Sequence, residues 1–162
     1  MIKIIESKKR ITTLRDNPVL FDYYIDSIYN TIIKLEQEYP GFHVWFYDKV
    51  RSDIMSNKRE IIISLVDDHI AGVAILKKTV EEKKICTLRV LERYQKMGLG
   101  KRLVLESFEY LDTKTPLITV TSCRENQFKK LFNYFGFEKA SECLDYYRKE
   151  YKELTYNGIL VK

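Results

Sequence analysis

The residues with the clearest potential for chemistry form the run QKMGLGKR at positions 95–102. Gly98 and Gly100 stand where an apolar strand gives way to an amphipathic stretch, which we expect to be a helix from Leu99 onward. Glycine lets a backbone pass close to a bulky ligand, and the first amides of a helix lack internal partners and carry partial positive charge. Three cations lie beside the glycines: Lys96, Lys101 and Arg102. The turn is therefore predicted to bind a phosphate group.

Two familiar nucleotide-binding loops match this run poorly. A P-loop requires G-x-x-x-x-G-K-[ST], but Gly100-Lys101 is followed by Arg102 and has no glycine at the required distance upstream. A Rossmann turn requires G-x-G-x-x-G or A, and position 103 is Leu. The sequence favours neither class.

The run does fit the pattern [QR]-x-x-G-x-[GA] at the end of a strand, as Gln95-x-x-Gly98-x-Gly100 with L-x-V upstream at 88–90. Here the chain resembles the GCN5-related N-acetyltransferase (GNAT) superfamily. The resemblance continues through the strand, helix and Gly-Phe turn that follow, and it covers residues 60–148. The N-terminal part is compatible with it.

The resemblance implies acetyl-CoA as co-substrate and no metal. In that family the pyrophosphate lies on the glycine turn, while the pantetheine arm adds to the fourth strand, which splays from the fifth at a bulge. Carried over residue by residue, the expected cofactor-binding residues are Leu88, Arg89, Val90, Gln95, Lys96, Met97, Gly98, Leu99, Gly100, Lys101, Arg102 and Asn126.

Acetyl transfer to an amine also needs proton transfer, because a lysine-like amine of pKa ~10.4 is mostly protonated at neutral pH. Glu92, at the end of the fourth strand, and His43 are candidate bases, although the first also reads as a solvated carboxylate and the second as a packing residue. Many family members carry an acidic Tyr four residues before the Gly-Phe turn. Phe132 occupies that position here, and Tyr134 lies two residues on. We therefore take Glu92 and Tyr134 as the catalytic candidates; Tyr146 or Tyr147 could serve instead, or the thiolate could leave unassisted.

Two further residues near the fifth strand have two interpretations each. Cys123 could form a covalent acetyl intermediate or be a small packed thiol. Asn126 could contact the pantetheine arm or cap the helix that it opens, and the best register with the family places Glu125 at the arm.

Composition sets the broad class. The chain of 162 residues is 45% hydrophobic and 31% charged, as expected for one soluble domain spanning residues 1–162. Its net charge is +5, but the basic residues are spread along the chain and mostly interleaved with acidic ones, so nucleic-acid binding is not favoured. The three cysteines form no C-x-x-C pair, and no apolar run approaches the ~20 residues of a membrane span. We expect a cytoplasmic monomer or homodimer with an unidentified small-molecule or protein amine as acceptor.

The N-terminal half is expected to contain a strand over residues 1–7, a polar loop or short helical turn over 8–17 and a long helix over 19–39, ended by Pro40-Gly41. The aromatic run FHVWFYDKV at 42–50 reads either as a wall of the acceptor pocket or as core packing. A charged connector is expected over 51–59.

The remaining strands are predicted at 60–66, 70–77, 85–91 and 117–122, with helices at 99–111 and 124–135. Gly72 is expected to mark a bulge or a close backbone approach. Final strands are predicted at 137–139 and 144–149, with one more hairpin around Asn157-Gly158. The fold class is α/β (α+β): a GNAT fold whose mostly antiparallel sheet of six to seven strands has helices on both faces and splays between the fourth and fifth strands.

The leading function is thus acetyl-CoA-dependent transfer of an acetyl group to a primary amine. A non-catalytic acyl-CoA sensor on the same fold is the alternative, motivated by Phe132 where an acid is expected.

Overall fold

Seven strands form one sheet in the computed structural model, which describes residues 6–144 and 152–160. The strands are β1 (Glu6–Arg10), β2 (Arg59–Val66), β3 (His69–Lys78), β4 (Lys83–Val90), β5 (Leu117–Thr121), β6 (Lys139–Leu144) and β7 (Lys152–Tyr156). Their order across the sheet is β1-β2-β3-β4-β5-β7-β6, and every pair is antiparallel except β4 with β5. This arrangement confirms the predicted fold class.

Four helices of the described chain cover the sheet. They are α1 (Pro18–Thr31), α2 (residues 42–55), α3 (Leu99–Leu111) and α4 (Glu125–Phe135). Short 3₁₀ turns lie at Ile11–Leu14, Ile33–Gln37, Glu92–Tyr94 and Ser122–Arg124. The start of α1 follows the predicted signal, because the Asn17 side chain accepts a hydrogen bond from the Leu20 amide at 3.2 Å and Pro18 opens the helix.

The helix predicted over residues 19–39 is wrong in its second half, because α1 ends at Thr31. Ile32 leaves helical geometry (φ −110°, ψ 17°), and the chain continues as the 3₁₀ turn Ile33–Gln37. The run Thr-Ile-Ile at this point is β-branched throughout, which weakens a helix. Leu35 stays buried because a 3₁₀ turn also brings residues three apart onto one face. Apolar spacing alone could not separate the two conformations.

The aromatic run and the connector predicted after it belong to one helix, α2. Its ends are α-helical and its middle, Trp45–Val50, is π-helical. Phe42, Phe46, Val50 and Ile54 recur every fourth residue and are all buried. Four α-helical steps of about 100° overshoot a full turn, and the wider π turns correct this drift. The connector expected over 51–59 is therefore wrong, and the buried aromatic rings serve core packing.

The first strand continues beyond its predicted end. Of the strand expected over residues 1–7, residues 1–5 lie outside the described chain, and β1 runs into the stretch expected to be a loop. It pairs antiparallel with β2, from Glu6 opposite Val66 to Arg10 opposite Ile62. Its lysines and arginine suit a sheet edge, where charge discourages pairing with another chain.

The C-terminal strands also differ from the prediction. The strand expected over 137–139 is the approach to β6, and the strand expected over 144–149 lies outside the described residues except for Leu144. Among the described residues after β7, 157–160, no strand completes the hairpin expected around Asn157-Gly158. Asn157 instead takes a left-handed conformation (φ 65°), and its side chain accepts from the Glu138 amide at 3.2 Å and donates to the Pro116 carbonyl at 3.0 Å.

Among the described residues, a large hydrophobic core forms on each face of the sheet. Side chains alternate along β2, so that Ile61 and Ile63 pack beneath α1 and α2, whereas Ile62 packs beneath α3 and α4. The face beneath α1 and α2 is called the α1 face below. In the described chain no helix is long and apolar enough to cross a membrane.

Gly72 meets both expectations stated for it. It adjoins the irregularity where Ser64 pairs with Gly72 but Leu65 pairs with Ile70, which leaves Ala71 as the extra residue. A Cβ at Gly72 would lie 2.9 Å from Cδ1 of Leu103. The glycine therefore leaves room on the sheet for the Leu103 side chain of α3.

Candidate active site

The glycine turn has the conformation expected of an anion site. Gly98 is left-handed (φ 79°, ψ 10°), Lys96 also has a positive φ of 69°, and α3 starts at Leu99. Within the described chain, the amides of residues 96–101 donate to no carbonyl or side chain, and the Arg102 amide is the first to find a helical acceptor, the Gly98 carbonyl at 3.2 Å. Several amides at one helix start are thus available to an anionic ligand.

Two side chains brace the turn from outside. Gln95 Nε2 donates to the Val90 carbonyl at 3.2 Å, and Arg102 Nη2 donates to the Met97 carbonyl at 2.9 Å. Arg102 also forms an ion pair with Glu6 of β1. These contacts give both predicted binding residues a structural role.

The lysines of the turn are placed differently. Lys96 and Lys101 are exposed, and Lys101 Nζ lies 4.0 Å from the centroid of the Tyr134 ring. Tyr134 is 63% exposed, so this predicted catalytic residue lies beside the glycine turn.

The sheet opens between β4 and β5. Their register pairs are Lys84–Leu117 and Ile85–Ile118, and none follows in the described chain although both strands continue. The register between β3 and β4 shifts at the same level, where Ile75 pairs with Thr87 and Leu76 with Ile85, so that Cys86 is the extra residue. The predicted splay therefore starts at a bulge.

The edge that β4 presents to this opening follows from its pairing with β3. The Leu91 amide donates to the Ala71 carbonyl at 2.9 Å, which assigns the odd-numbered residues of this part of β4 to β3. The N–H and C=O groups of Leu88 and Val90 consequently face β5 across the gap. The side chain of Arg89 already uses one of them, since Nη1 donates to the Leu88 carbonyl at 2.9 Å.

A buried carboxylate organises the α1 face of this gap. Glu38, 5% exposed, accepts from Arg124 Nε at 2.5 Å and from Thr121 Oγ1 at 3.1 Å. Arg89 Nη2 lies 3.8 Å from its other oxygen, too far for a hydrogen bond. That oxygen and Arg89 Nε have no partner among the described residues.

The charges in this cluster act on one another. Burial, and then the nearby Arg124 guanidinium, lowers the pKa of Arg89, while the hydrogen bond to Glu38 raises the pKa of Arg124. One carboxylate thus serves two guanidinium groups, so the cluster carries excess positive charge inside the protein.

Tyr39 and Glu153 add further polar groups to the α1 face of the gap. The Tyr39 hydroxyl donates to Glu153 Oε1 at 3.3 Å, and Thr119 hydrogen-bonds the same carboxyl group. Glu153 is 2% exposed, and burial raises its pKa to about 7. It therefore titrates near neutral pH.

An open cleft of about 820 Å³ leads to this cluster from solvent. Its walls include Glu38 and Pro40 on one side and Cys123, Arg124 and Gln127 on the other. The cleft gives a small molecule or a flexible chain a route to the α1 face of the gap. Among the described residues, no three His, Cys, Asp or Glu side chains group to hold a metal ion.

The other catalytic candidates lie in several places. Glu92 is exposed on the 3₁₀ turn after β4. Phe132 is 1% exposed, and its ring centroid lies 4.5 Å from that of Tyr156 in the core beneath α3 and α4. His43 is exposed and lies against the rings of Tyr29 and Tyr47.

Cys123 lines the cleft, and Asn126 follows it three residues along the chain. The Cys123 thiol is exposed and lies 3.2 Å from Thr121 Oγ1. Asn126 is exposed in the first turn of α4, whose cap position is Arg124, so the capping interpretation of Asn126 is wrong. Glu125 accepts from the Tyr156 hydroxyl at 2.9 Å. Tyr146 and Tyr147 lie outside the described residues.

Sequence reasoning missed Glu38, Tyr39 and Glu153. The first two lie in a segment predicted to be an ordinary helix, and the third in a tail of unassigned role. A Glu in the strand KELTY, placed among residues that alternate inward, was the one available signal of a buried acid.

Comparison with known proteins gives a consistent picture. Residues 34–145 match the family model of the acetyltransferase (GNAT) domain. No curated protein has a sequence that matches the chain significantly.

Solved structures share its fold. An acetyltransferase of the GNAT family from Bacillus cereus has 15% identity and a TM-score of 0.63, covering 96% of each chain. The ribosomal-protein-S18-alanine N-acetyltransferase of Escherichia coli has 17% identity and a TM-score of 0.60, covering 94% of this chain and 90% of the other. A candidate streptothricin acetyltransferase from Bacillus anthracis, in complex with acetyl coenzyme A, has 19% identity and a TM-score of 0.54, and the match spans 61% of each chain.

Proposed function

Because the chain belongs to the GNAT acetyltransferase family, we propose that it is an acetyl-CoA-dependent N-acetyltransferase acting on a primary amine. The observation that carries the proposal is the opening of the sheet after Ile85 and Ile118, beside a turn of free amides. Bound acetyl-CoA supplies an activated acetyl carbon with a thiolate as leaving group.

The turn fits the diphosphate of that co-substrate. The amides of residues 96–101 lie at the start of α3, where the helix dipole adds partial positive charge. Lys96 and Lys101 are exposed beside them and can add full charges. The remaining predicted binding residues of the turn, Met97, Leu99 and Gly100, contribute backbone.

The gap fits an extended arm with two amide groups. Leu88 and Val90 face it with N–H and C=O groups that β5 does not use. An arm that pairs with this edge adds a strand to the sheet, a recognised mode of binding. Arg89 must release the Leu88 carbonyl when such an arm pairs there, and Gln95 must release that of Val90.

The acceptor amine enters through the cleft beside Glu38 and Cys123 on the α1 face. Bringing the amine and the thioester together at fixed orientation is the main contribution of such a site, since positioning alone can lower a barrier by ~7–11 kcal/mol. The polar groups of the α1 face can then manage the protons of the amine.

Thiol release tests the proposal. The full-length protein is incubated with acetyl-CoA and a panel of lysine peptides, polyamines and aromatic amines, and free CoA thiol is followed with a chromogenic disulfide. We expect release that depends on both the protein and an amine. Reactions without amine correct for hydrolysis, and protein with Gly98 replaced by a bulky residue corrects for contaminating activity.

A non-catalytic acyl-CoA-binding protein is the second candidate. Phe132, buried where the resembled family often has a Tyr, favours it. Calorimetric CoA binding together with no turnover of any amine would support this alternative, while turnover with a single amine rejects it.

A further inference from the structure

Resting on the function proposed above, we propose that Tyr39 is the catalytic proton donor to the departing CoA thiolate and that Glu153 acts through Tyr39 as the proton store behind it. Both residues lie on the α1 face of the gap.

Tyr39 lies in the gap between β4 and β5. Its side chain lines the narrow cleft between the splayed strands, together with Cys86 and Thr87 of β4 and Thr119 of β5. Among the described residues that line this cleft, Tyr39 carries the only phenol. An arm laid along β4 from the glycine turn passes Val90 and Leu88 before it reaches Cys86, so its reactive end arrives where Tyr39 stands.

Tyr39 also contacts the buried carboxyl group of Glu153. The Tyr39 hydroxyl donates to Glu153 Oε1 at 3.3 Å, a long hydrogen bond that a small rotation of the phenol can exchange for another acceptor. Glu153 is held by its register partner Thr121 on β5 and by the hydrogen bond with Thr119. The pair thus joins the cleft to a carboxyl group that is 2% exposed.

The surroundings of Glu153 allow its carboxyl group both to accept a proton and to donate one. The titratable groups that face it are Tyr39 and Glu38 after α1, Lys84 on β4, and its register partner Cys143 on β6. Burial raises its pKa to about 7, since neighbouring hydrogen bonds and Lys84 do not offset the loss of water. Near neutral pH the carboxyl group is therefore present in both protonation states.

The proton balance of the reaction then closes. The ammonium form of the acceptor gives one proton to Glu153 through the Tyr39 hydroxyl, which accepts it as its own proton passes on. The C–N bond forms between the free amine and the acetyl carbon, the C–S bond breaks, and the sulfur leaves with the bonding electron pair. Tyr39 protonates that thiolate and regains a proton from Glu153, while the second amine proton leaves to water.

Steady-state kinetics from pH 5.5 to 9 with the wild-type protein, Tyr39→Phe and Glu153→Gln tests the proposal. We expect Tyr39→Phe to lower kcat on the order of 100-fold with KM for acetyl-CoA changed less than about twofold. Glu153→Gln should lower kcat and remove the inflection near pH 7. Calorimetric titration with CoA should give near wild-type affinity for both variants.

Matched controls separate this role from packing. Tyr156→Phe removes a buried phenol that also donates to a carboxylate, on the opposite face of β7, and Glu60→Gln neutralises another buried glutamate, on β2. Both should keep kcat and the pH profile. If Glu153→Gln does not fold, Glu153→Asp retains the carboxyl group, and the inflection should then persist at a shifted pH.

The outcomes are distinguishable. Wild-type turnover, together with unchanged kcat and pH profile in Tyr39→Phe, overturns the inference while leaving the proposed function intact. Wild-type CoA binding without turnover of any amine overturns the proposed function, and the inference falls with it.

Discussion

At the scale of single residues, Gly98 takes a conformation that glycine alone adopts without strain. A Cβ at this position would keep a φ of 79° and lie 3.4 Å from Arg102 Nη2. Gly98→Ala should therefore cost roughly 1–2 kcal/mol of stability and weaken CoA binding, because the backbone strain falls on the turn whose amides are proposed to bind the diphosphate. Urea unfolding and calorimetry measure the two effects.

Gly136→Ala is the control for that substitution. Gly136 has a similar φ of 70°, and a Cβ there would meet nothing within 4 Å. It should lose similar stability and keep full CoA affinity. Equal loss of affinity in the two variants would show that general destabilisation explains the Gly98 result.

The titration of Glu153 also predicts a dependence of stability on pH. Its pKa is raised by burial from 4.5 to about 7 in the folded protein, so its contribution to stability is fully present below pH 4.5 and is lost as the pH rises through 7. Relative to the wild type, Glu153→Gln should gain on the order of 3 kcal/mol between pH 4 and pH 8.5. Urea unfolding at the two pH values measures the gain, and a difference that is the same at both would contradict the assigned burial effect.

Residues that act together could be predicted from the sequence only where they are neighbours in the chain. The glycine turn was predicted because its residues adjoin in sequence and because a left-handed glycine before a helix has a plain physical meaning. The contact between Tyr39 and Glu153 joins residues 114 positions apart. No periodicity or motif links such residues, since only the completed sheet brings β7 beside β5.

At the scale of elements, β4 has two unlike edges. Thr87 and Arg89 pair with β3, whereas Leu88 and Val90 face the gap. In the free protein we expect slow hydrogen exchange at the amides of Thr87 and Arg89 and fast exchange at those of Leu88 and Val90. Of these four amides, saturating CoA should slow the exchange of Leu88 and Val90 alone.

Exchange measured residue by residue by NMR checks this expectation, and Thr87 and Arg89 are the internal control. Protection of Leu88 and Val90 before CoA is added would mean that the gap is closed in solution. Unchanged exchange with CoA bound would place the ligand elsewhere.

The elements most reliably predicted were those with one strong signal. Strands β2 to β5 and helix α3 agree with prediction to within about two residues because their apolar patterns are bounded by turns. Helix α2 was missed because its aromatic run was judged by composition. The four-residue spacing of Phe42, Phe46 and Val50 was the signal that could have identified it.

At the scale of the whole molecule, the two cores lie on opposite faces of a sheet that the gap weakens in its middle. A ligand that binds the folded state alone at 100 times its Kd adds about 2.7 kcal/mol of stability. For a domain of this size, CoA at that concentration should raise Tm by roughly 5–10 °C. Thermal unfolding measures the shift, and Gly98→Ala at the same CoA concentration should show a smaller one; no shift in the wild type would contradict CoA binding at this site.

The joint between β4 and β5 has a mechanical consequence as well. On one side, β1 to β4 form a continuous ladder, and on the other β5, β7 and β6 form a second, while two residue pairs connect them. Under a load applied across the sheet, the ladders of the free protein would part first at this short seam. An extended thioester carrier that hydrogen-bonds to both β4 and β5 would connect the two halves of the sheet while it is bound. Each turnover would therefore stiffen the sheet on binding and loosen it on release.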